Sequence, residues 1–335
     1  MLEKPEIKDE SIIDALHNQF NLPIASISFL PIGADHNTAV YQAVTRDEIH
    51  YFVKLRRGAF DPLSALIPNY LRSQGMAQVI PVIPTQSGNL WTVLDEFTLV
   101  LYPFINGHDG YYKELSEEQW NEFGRALKHL HSVKLPPSLS QGFQRETFTP
   151  RWGQKVRIHL ESIQTRKFRD PVAREISTFL RTNLDLTQKL IDQAAQLALE
   201  MQKRPFEYVV CHGDIHGWNL FIDDEQTLFI VDWDTLILAP KERDLMFIGA
   251  GLGSSGYAPH EEEKLFYRCY GNIDLYQNAI AYYRSQRILE DIAICCDQIL
   301  LSDEGGKDRE RAITDLMSNY YPGGTIEMAF HAHRS

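Results

Sequence analysis

Two short stretches hold residue types whose spacing could do chemistry. Asp214 and Asn219 lie in the run HGDIHGWN, His212 to Asn219, directly after an apolar stretch. Asp232 ends a second apolar stretch, Leu228-Phe229-Ile230-Val231. Moving a phosphoryl group from a nucleotide to a hydroxyl asks little of a protein: a carboxylate to orient the hydroxyl and accept its proton, hard oxygen ligands for Mg²⁺, and a cation for the phosphates. Asp214 can serve the first need, and Asn219 with Asp232 can hold metal from two loops. Lys54, a lysine inside the otherwise apolar strand-like run YFVKL, fits the role of that cation.

Each residue also has a bland reading. Lys54 taken singly is a solubilising charge on an edge strand. Asp214 alone caps a loop, but its occurrence with Asn219 and Asp232 between two strands favours chemistry. His212 and His216 stand four apart, yet Gly213 and Gly217 disfavour the helix that would make them a zinc pair, and a third ligand is not evident. Asp234 reads as a cap for the following segment, with substrate contact as its alternative. Trp218 and Trp233 read as packing, although such a ring could also cover an amine. Cys295–Cys296 reads as helix packing.

The elements that must position these residues follow from periodicity. A helix is expected near 8–20, then three strands in SISFLPI, TAVYQAV and HYFVKL, with turns at Gly33–Asn37 and Arg46–Glu48. A short irregular helix is expected near Leu63–Ser73, and two strands, LWTVLD and FTLVLYPF, joined at Glu96–Phe97. Ser116 to Gln119 has the form of a capping box and opens an amphipathic helix through Ser132. Residues 138–205 are mainly helical by pattern, with breaks at Thr149-Pro150 and Asp170-Pro171. FEYVVCHGD and TLFIVDWD are strand-like, and the chain from Glu261 onward is helical again.

Bulk properties narrow the class. The 335 residues suffice for two lobes around a cleft, and 44% hydrophobic with 23% charged residues is ordinary for a globular chain. Thirty-three basic against forty-five acidic residues give a net charge of −12, which argues against nucleic acid and is compatible with a cationic substrate. The four cysteines form no CxxC pair, so a disulfide framework is not expected. Without an apolar leader or an 18-residue apolar run, a cytoplasmic location with no membrane partner is the expectation.

The pattern HGDxxxxN, followed by a strand ending Ile-Val-Asp-Trp, resembles the aminoglycoside phosphotransferase family. The resemblance extends to the strand lysine, the linker Tyr102–Gly107, Leu130-His131-Ser132, and Glu242-Arg243-Asp244-Leu245. It implies an α+β, two-lobed, protein-kinase-like fold. Residues 1–104 would form a small β-rich nucleotide lobe, and 105–335 a larger, mainly helical lobe with a helical insertion at about 138–205. It further implies ATP and Mg²⁺ as cofactors, Asp214 as catalytic base, and Asn219 and Asp232 as metal ligands. Lys54 would sit on the α- and β-phosphates, adenine on the hinge backbone near Tyr102 and Phe104, and the phosphates against the loop closed by Asn37. His212 would pack beneath the catalytic loop, and Asp244 would be structural. The implied acceptor is a cationic aminocyclitol or aminoglycoside antibiotic, spectinomycin first; choline, homoserine, methylthioribose or a sugar amine would suit the same core.

Two departures stand out. The loop Gly33-Ala34-Asp35-His36-Asn37 carries one glycine, and Asp35 would repel phosphate unless turned away. Between Arg56 and Gln78 there is no glutamate to pair with Lys54; only Asp61 is acidic. A non-catalytic nucleotide-binding protein on the same scaffold is therefore the competing class.

Overall fold

The computed structural model describes residues 4–33, 37–250, 257–302 and 306–332. In chain order the first half contains α1 (Asp9–Phe20), β1 (Ile24–Leu30), β2 (Thr38–Thr45), β3 (His50–Arg57), α2 (Leu63–Ser73), β4 (Thr92–Leu94), β5 (Phe97–Pro103), β6 (Gly107–Asp109), α3 (Glu117–Ser132) and α4 (Pro137–Ser140). The second half contains α5 (Arg151–Thr165), α6 (Pro171–Thr182), α7 (Leu184–Met201), β7 (Val209–Cys211), β8 (Leu220–Asp223), β9 (Leu228–Ile230), β10 (Ile237–Ala239), α8 (Glu242–Leu245), α9 (Pro259–Tyr270), α10 (Gln277–Leu300), α11 (Gly306–Ser318) and α12 (Thr325–Ala332). The chain divides into two compact units. One comprises Met1–Gln144, His212–Ile237 and Leu252–Gly271; the other comprises Arg145–Cys211, Leu238–Gly251 and Asn272–Ser335.

The first unit is built on an antiparallel sheet in the order β1-β2-β3-β5-β4. Side chains alternate along a strand, so one face of β3 carries Val53 and Leu55 and the other Phe52, Lys54 and Arg56. The first face joins Tyr41, Leu99 and Leu101 and is covered by Ile12, Leu16 and Phe20 of α1. Each of these large side chains contributes about 1.5–3 kcal/mol by leaving water. Lys54 projects from the opposite face, with Val40 and Val100 as its register partners. Strand β3 lies in the middle of the sheet, which corrects the edge-strand reading of this lysine. The turn after β4 falls at Asp95–Glu96, one residue before the expected join, with Asp95 at φ 54°.

A second, three-stranded sheet in the order β6-β8-β9 carries the stretches that hold Asn219 and Asp232. The Ile230 N–H donates to the Gln78 carbonyl at 2.7 Å, fastening the segment after α2 to β9. Helix α3 starts at the expected capping box, where Ser116 and Gln119 exchange side-chain and backbone hydrogen bonds.

The other unit is helical around α10. Its buried residues Ile288, Leu289, Ile292, Cys296 and Ile299 share a core with Val156, Ile176, Leu190, Ile313 and Ile326 from α5, α6, α7, α11 and α12. Strands β7 and β10 pair beside it. Cys295 and Cys296 are buried free thiols, in keeping with a packing role. Among the described residues no helix is long and apolar enough to cross a membrane.

Candidate active site

The lysine face of the sheet meets the loop that follows β9. Lys54 Nζ lies 3.1 Å from Asp232 Oδ1 and 2.8 Å from Asp234 Oδ2. Its side chain is 16% exposed. Burial works against an ammonium there, but the two carboxylates outweigh it and hold the pKa above the ordinary lysine range. Asp234 also lies 3.8 Å from Arg56 Nη1. Tyr102, on the neighbouring strand, is packed with Phe52 at a centroid distance of 6.3 Å, and burial pushes its phenol up to about 12.

The catalytic-loop candidate is held from beneath. His212 is fully buried; its Nε2 lies 3.0 Å from the Val231 carbonyl, and the Asp214 N–H donates to its Nδ1 at 3.4 Å. This pattern fixes the Nε2–H tautomer and commits both ring nitrogens, consistent with rejecting a zinc pair. Gly213 sits at φ 86°, and a Cβ there would lie 2.3 Å from the Thr235 carbonyl oxygen. Only glycine fits both the conformation and the space. Thr235 Oγ1 in turn donates to the His212 carbonyl at 2.9 Å, so the two loops are sewn together.

Asn219 Nδ2 donates to the Asp214 carbonyl at 2.7 Å, and the Asn219 carbonyl accepts from the Val231 N–H at 3.0 Å. The amide is thereby oriented with its nitrogen spent on the loop. His216 Nε2 stands 3.4 Å from Asp214 Oδ2, beside a carboxylate that is mostly buried. Asp232 adopts φ 62°, ψ 67°, a left-handed conformation that costs a residue with a side chain roughly 1 kcal/mol or more. Its side chain is 54% exposed, and the charge of Lys54 keeps its pKa below the ordinary carboxylate value. Trp233 is buried with its ring 4.9 Å from that of His212, and its Nε1 donates to the Ile230 carbonyl at 3.0 Å, which locks this unusual turn.

Among the expected site residues, the structure therefore brings Lys54 and Asp232 into direct contact and links Asp214 to Asn219. Phe104 spends its N–H on the His50 carbonyl at 3.2 Å. Asn37 is exposed and its carbonyl accepts from the Arg57 N–H at 2.7 Å. Ala34, Asp35 and His36, and with them the question of phosphate repulsion, lie outside the described residues. Two acidic residues whose roles the sequence left open have definite partners. Asp61 spends Oδ1 on the Leu63 N–H at 2.9 Å, starting α2 rather than reaching for Lys54. Asp234, read as a cap, is turned toward the lysine and accepts from its Nζ at 2.8 Å.

An aromatic ladder beside the loop was not foreseen. Tyr111 stacks on Trp218 with centroids 4.1 Å apart, Tyr112 stands edge-on to Tyr111, and His216 stands edge-on to Trp218. Asp109 Oδ1 accepts the N–H groups of Tyr111 and Tyr112, and the Gly110 N–H donates to Gly217 and Leu220 carbonyls. The sequence signal was the Asp-Gly-Tyr-Tyr turn, whose pairing partner lies about a hundred residues away.

Comparison with known proteins matches residues 28–261 to the family described as phosphotransferase enzymes. A crystal structure of spectinomycin phosphotransferase in complex with ADP and spectinomycin superposes with a TM-score of 0.91 at 31% identity, covering 99% of this chain and 100% of that one. An AMP-bound complex of spectinomycin phosphotransferase gives 0.85 at 31% identity, covering 97% and 98%. A choline kinase from Streptococcus pneumoniae shares the fold, with a TM-score of 0.56 at 15% identity over 92% of this chain and 99% of that one. A sheet-borne lysine meeting a left-handed aspartate beside the His212–Asn219 loop is thus found on a family match that spans most of the chain: this protein belongs to the phosphotransferase enzyme family, kinases that act on hydroxyl groups of small molecules.

Proposed function

We propose that this enzyme transfers the γ-phosphate of ATP to a hydroxyl of an aminocyclitol or aminoglycoside antibiotic, spectinomycin first, and so confers resistance. The observation that carries the acceptor is the full-length match, at 31% identity, to a phosphotransferase crystallised with ADP and spectinomycin. In this reading residues 1–104 bind the nucleotide and 105–335 supply catalysis and the acceptor site, in the cytoplasm.

Asp214 takes the proton of the attacking hydroxyl as its oxygen bonds to the γ-phosphorus and ADP leaves. His216, close to Oδ2, keeps that carboxylate pointed. Lys54 faces the α- and β-phosphates, the backbone near Tyr102 and Phe104 borders the adenine, and the loop at Asn37 covers the phosphates. Asn219 and Asp232 offer the hard oxygen donors that suit Mg²⁺, and Asp232 stays ionised to do so. Magnesium held there would neutralise phosphate charge. The ladder of Trp218, Tyr111 and Tyr112 gives a π face beside the loop that carries Asp214, suited to an ammonium of the acceptor.

The test is Mg²⁺-dependent ADP release with a panel of aminocyclitols and aminoglycosides, alongside choline and sugar amines. Turnover with spectinomycin, lowered by roughly 10²–10⁴-fold in Asp214→Asn, is the expected result. Turnover confined to choline or a sugar amine would overturn the antibiotic assignment while leaving the kinase reading in place.

A further inference from the structure

Kinases of this fold orient the phosphate-binding lysine with a carboxylate, and the helix that ordinarily offers one has none here. Between Arg56 and Gln78 the only acidic residue is Asp61, and it is committed to the start of α2. The lysine is nevertheless held by two carboxylates, both on one three-residue stretch, Asp232-Trp233-Asp234. These two cannot serve alike. Asp232 is the more exposed, sits in a left-handed turn and is the proposed metal ligand. Asp234 is 30% exposed, makes the shorter contact with Lys54 and lies near Arg56 as well, whose Nη1 donates to Thr38 on the adjacent strand.

We infer that Asp234 is the positioning residue for Lys54, replacing the missing helix glutamate. A metal on Asp232 would compete with the ammonium for that carboxylate, and Asp234 would remain to hold the lysine. The helix α2 is then free of the duty that would require an acid in it. This inference rests on the assignment of Lys54 to the nucleotide phosphates. In this role Asp234 acts through the lysine.

The experiment is a double-mutant cycle read by nucleotide binding, with Lys54→Met, Asp234→Asn and the double variant titrated with a fluorescent ATP analogue in Mg²⁺. Mn²⁺ affinity is measured in parallel by electron paramagnetic resonance. Asp234→Asn is expected to weaken nucleotide binding about tenfold, the loss of one charge-assisted hydrogen bond. In the Lys54→Met background it should add nothing, and Mn²⁺ affinity should be unchanged. Asp234→Glu should recover part of the loss. A tenfold penalty that persists without the lysine, or a fall in Mn²⁺ affinity, would make Asp234 a metal ligand and overturn the inference. Unchanged nucleotide affinity in Lys54→Met alone would instead remove the assignment of the lysine. Circular dichroism of each variant separates these outcomes from misfolding.

Discussion

Two largely buried cations in this molecule solve the same problem differently. In the helical unit, Arg309 is almost wholly buried and gives Nη2 to Asp170 Oδ2 at 2.8 Å and to the Ile299 carbonyl at 3.0 Å. Asp170 spends the same oxygen on the Ala173 N–H at 2.8 Å, capping α6. The carboxylate is shared between the guanidinium and a backbone amide. In the sheet unit, one lysine faces two carboxylates, one of them half in water and on strained backbone. Both Asp170 and Asp232 have lowered pKa values, yet the largest cause is the Ala173 amide for the first and the Lys54 charge for the second. Asp170, tied to a buried arginine and to a helix start, holds the fold; Asp232, half in water, stays within reach of a cation from outside.

The contrast can be broken most forcefully at Asp232. Asp232→Asn should lower phosphoryl transfer roughly a hundred- to a thousandfold, the several kcal/mol that metal-held phosphate charge contributes, in a kinetic assay of ADP release. Thermal unfolding of that variant should barely move, because asparagine tolerates the left-handed turn. Asp170→Ala should do the opposite. It loses a helix cap and strands a buried guanidinium, so chemical unfolding should show a loss of about 3 kcal/mol or more, with nucleotide affinity unchanged. Asp170→Asn, which keeps a capping oxygen, should fall between.

The smallest expected effect is in acid. A carboxylate whose folded pKa is lowered stabilises the fold above its unfolded value, about 3.9, and that contribution is lost as pH falls through the folded value. Stability curves should therefore bend below about pH 4. Asp232→Asn should remove less than about 1 kcal/mol of that bend, since a half-exposed carboxylate is screened, and Asp170→Asn should remove more.

The strands, the capped helix α3 and the residues of the His212–Asn219 loop were legible because each has a local cause: alternation, a capping box, two glycines around an aspartate. What escaped depends on partners far away in sequence. Lys54 and Asp234 are 180 residues apart, and no spacing rule links them. The strand β6 has three residues and exists only because Gly107, His108 and Asp109 find Asp223, Ile222 and Phe221. The central place of β3 likewise follows from sheet order, which alternation along one strand does not report.

The tie between Gln78 and Ile230 bears on how the sheet can move. The segment between α2 and β4 is joined to β9 at that bond, and the five-stranded sheet passes into the β6-β8-β9 sheet where the chain leaves β5 for β6, with the Asp224 N–H already held by the Asn106 carbonyl at 3.2 Å. A plate pinned at two points swings about the line through them, like a door on a pair of pins. Only Phe104 and Ile105 separate the last sheet residue from the second pin, so the torsion of opening falls on very few peptide bonds.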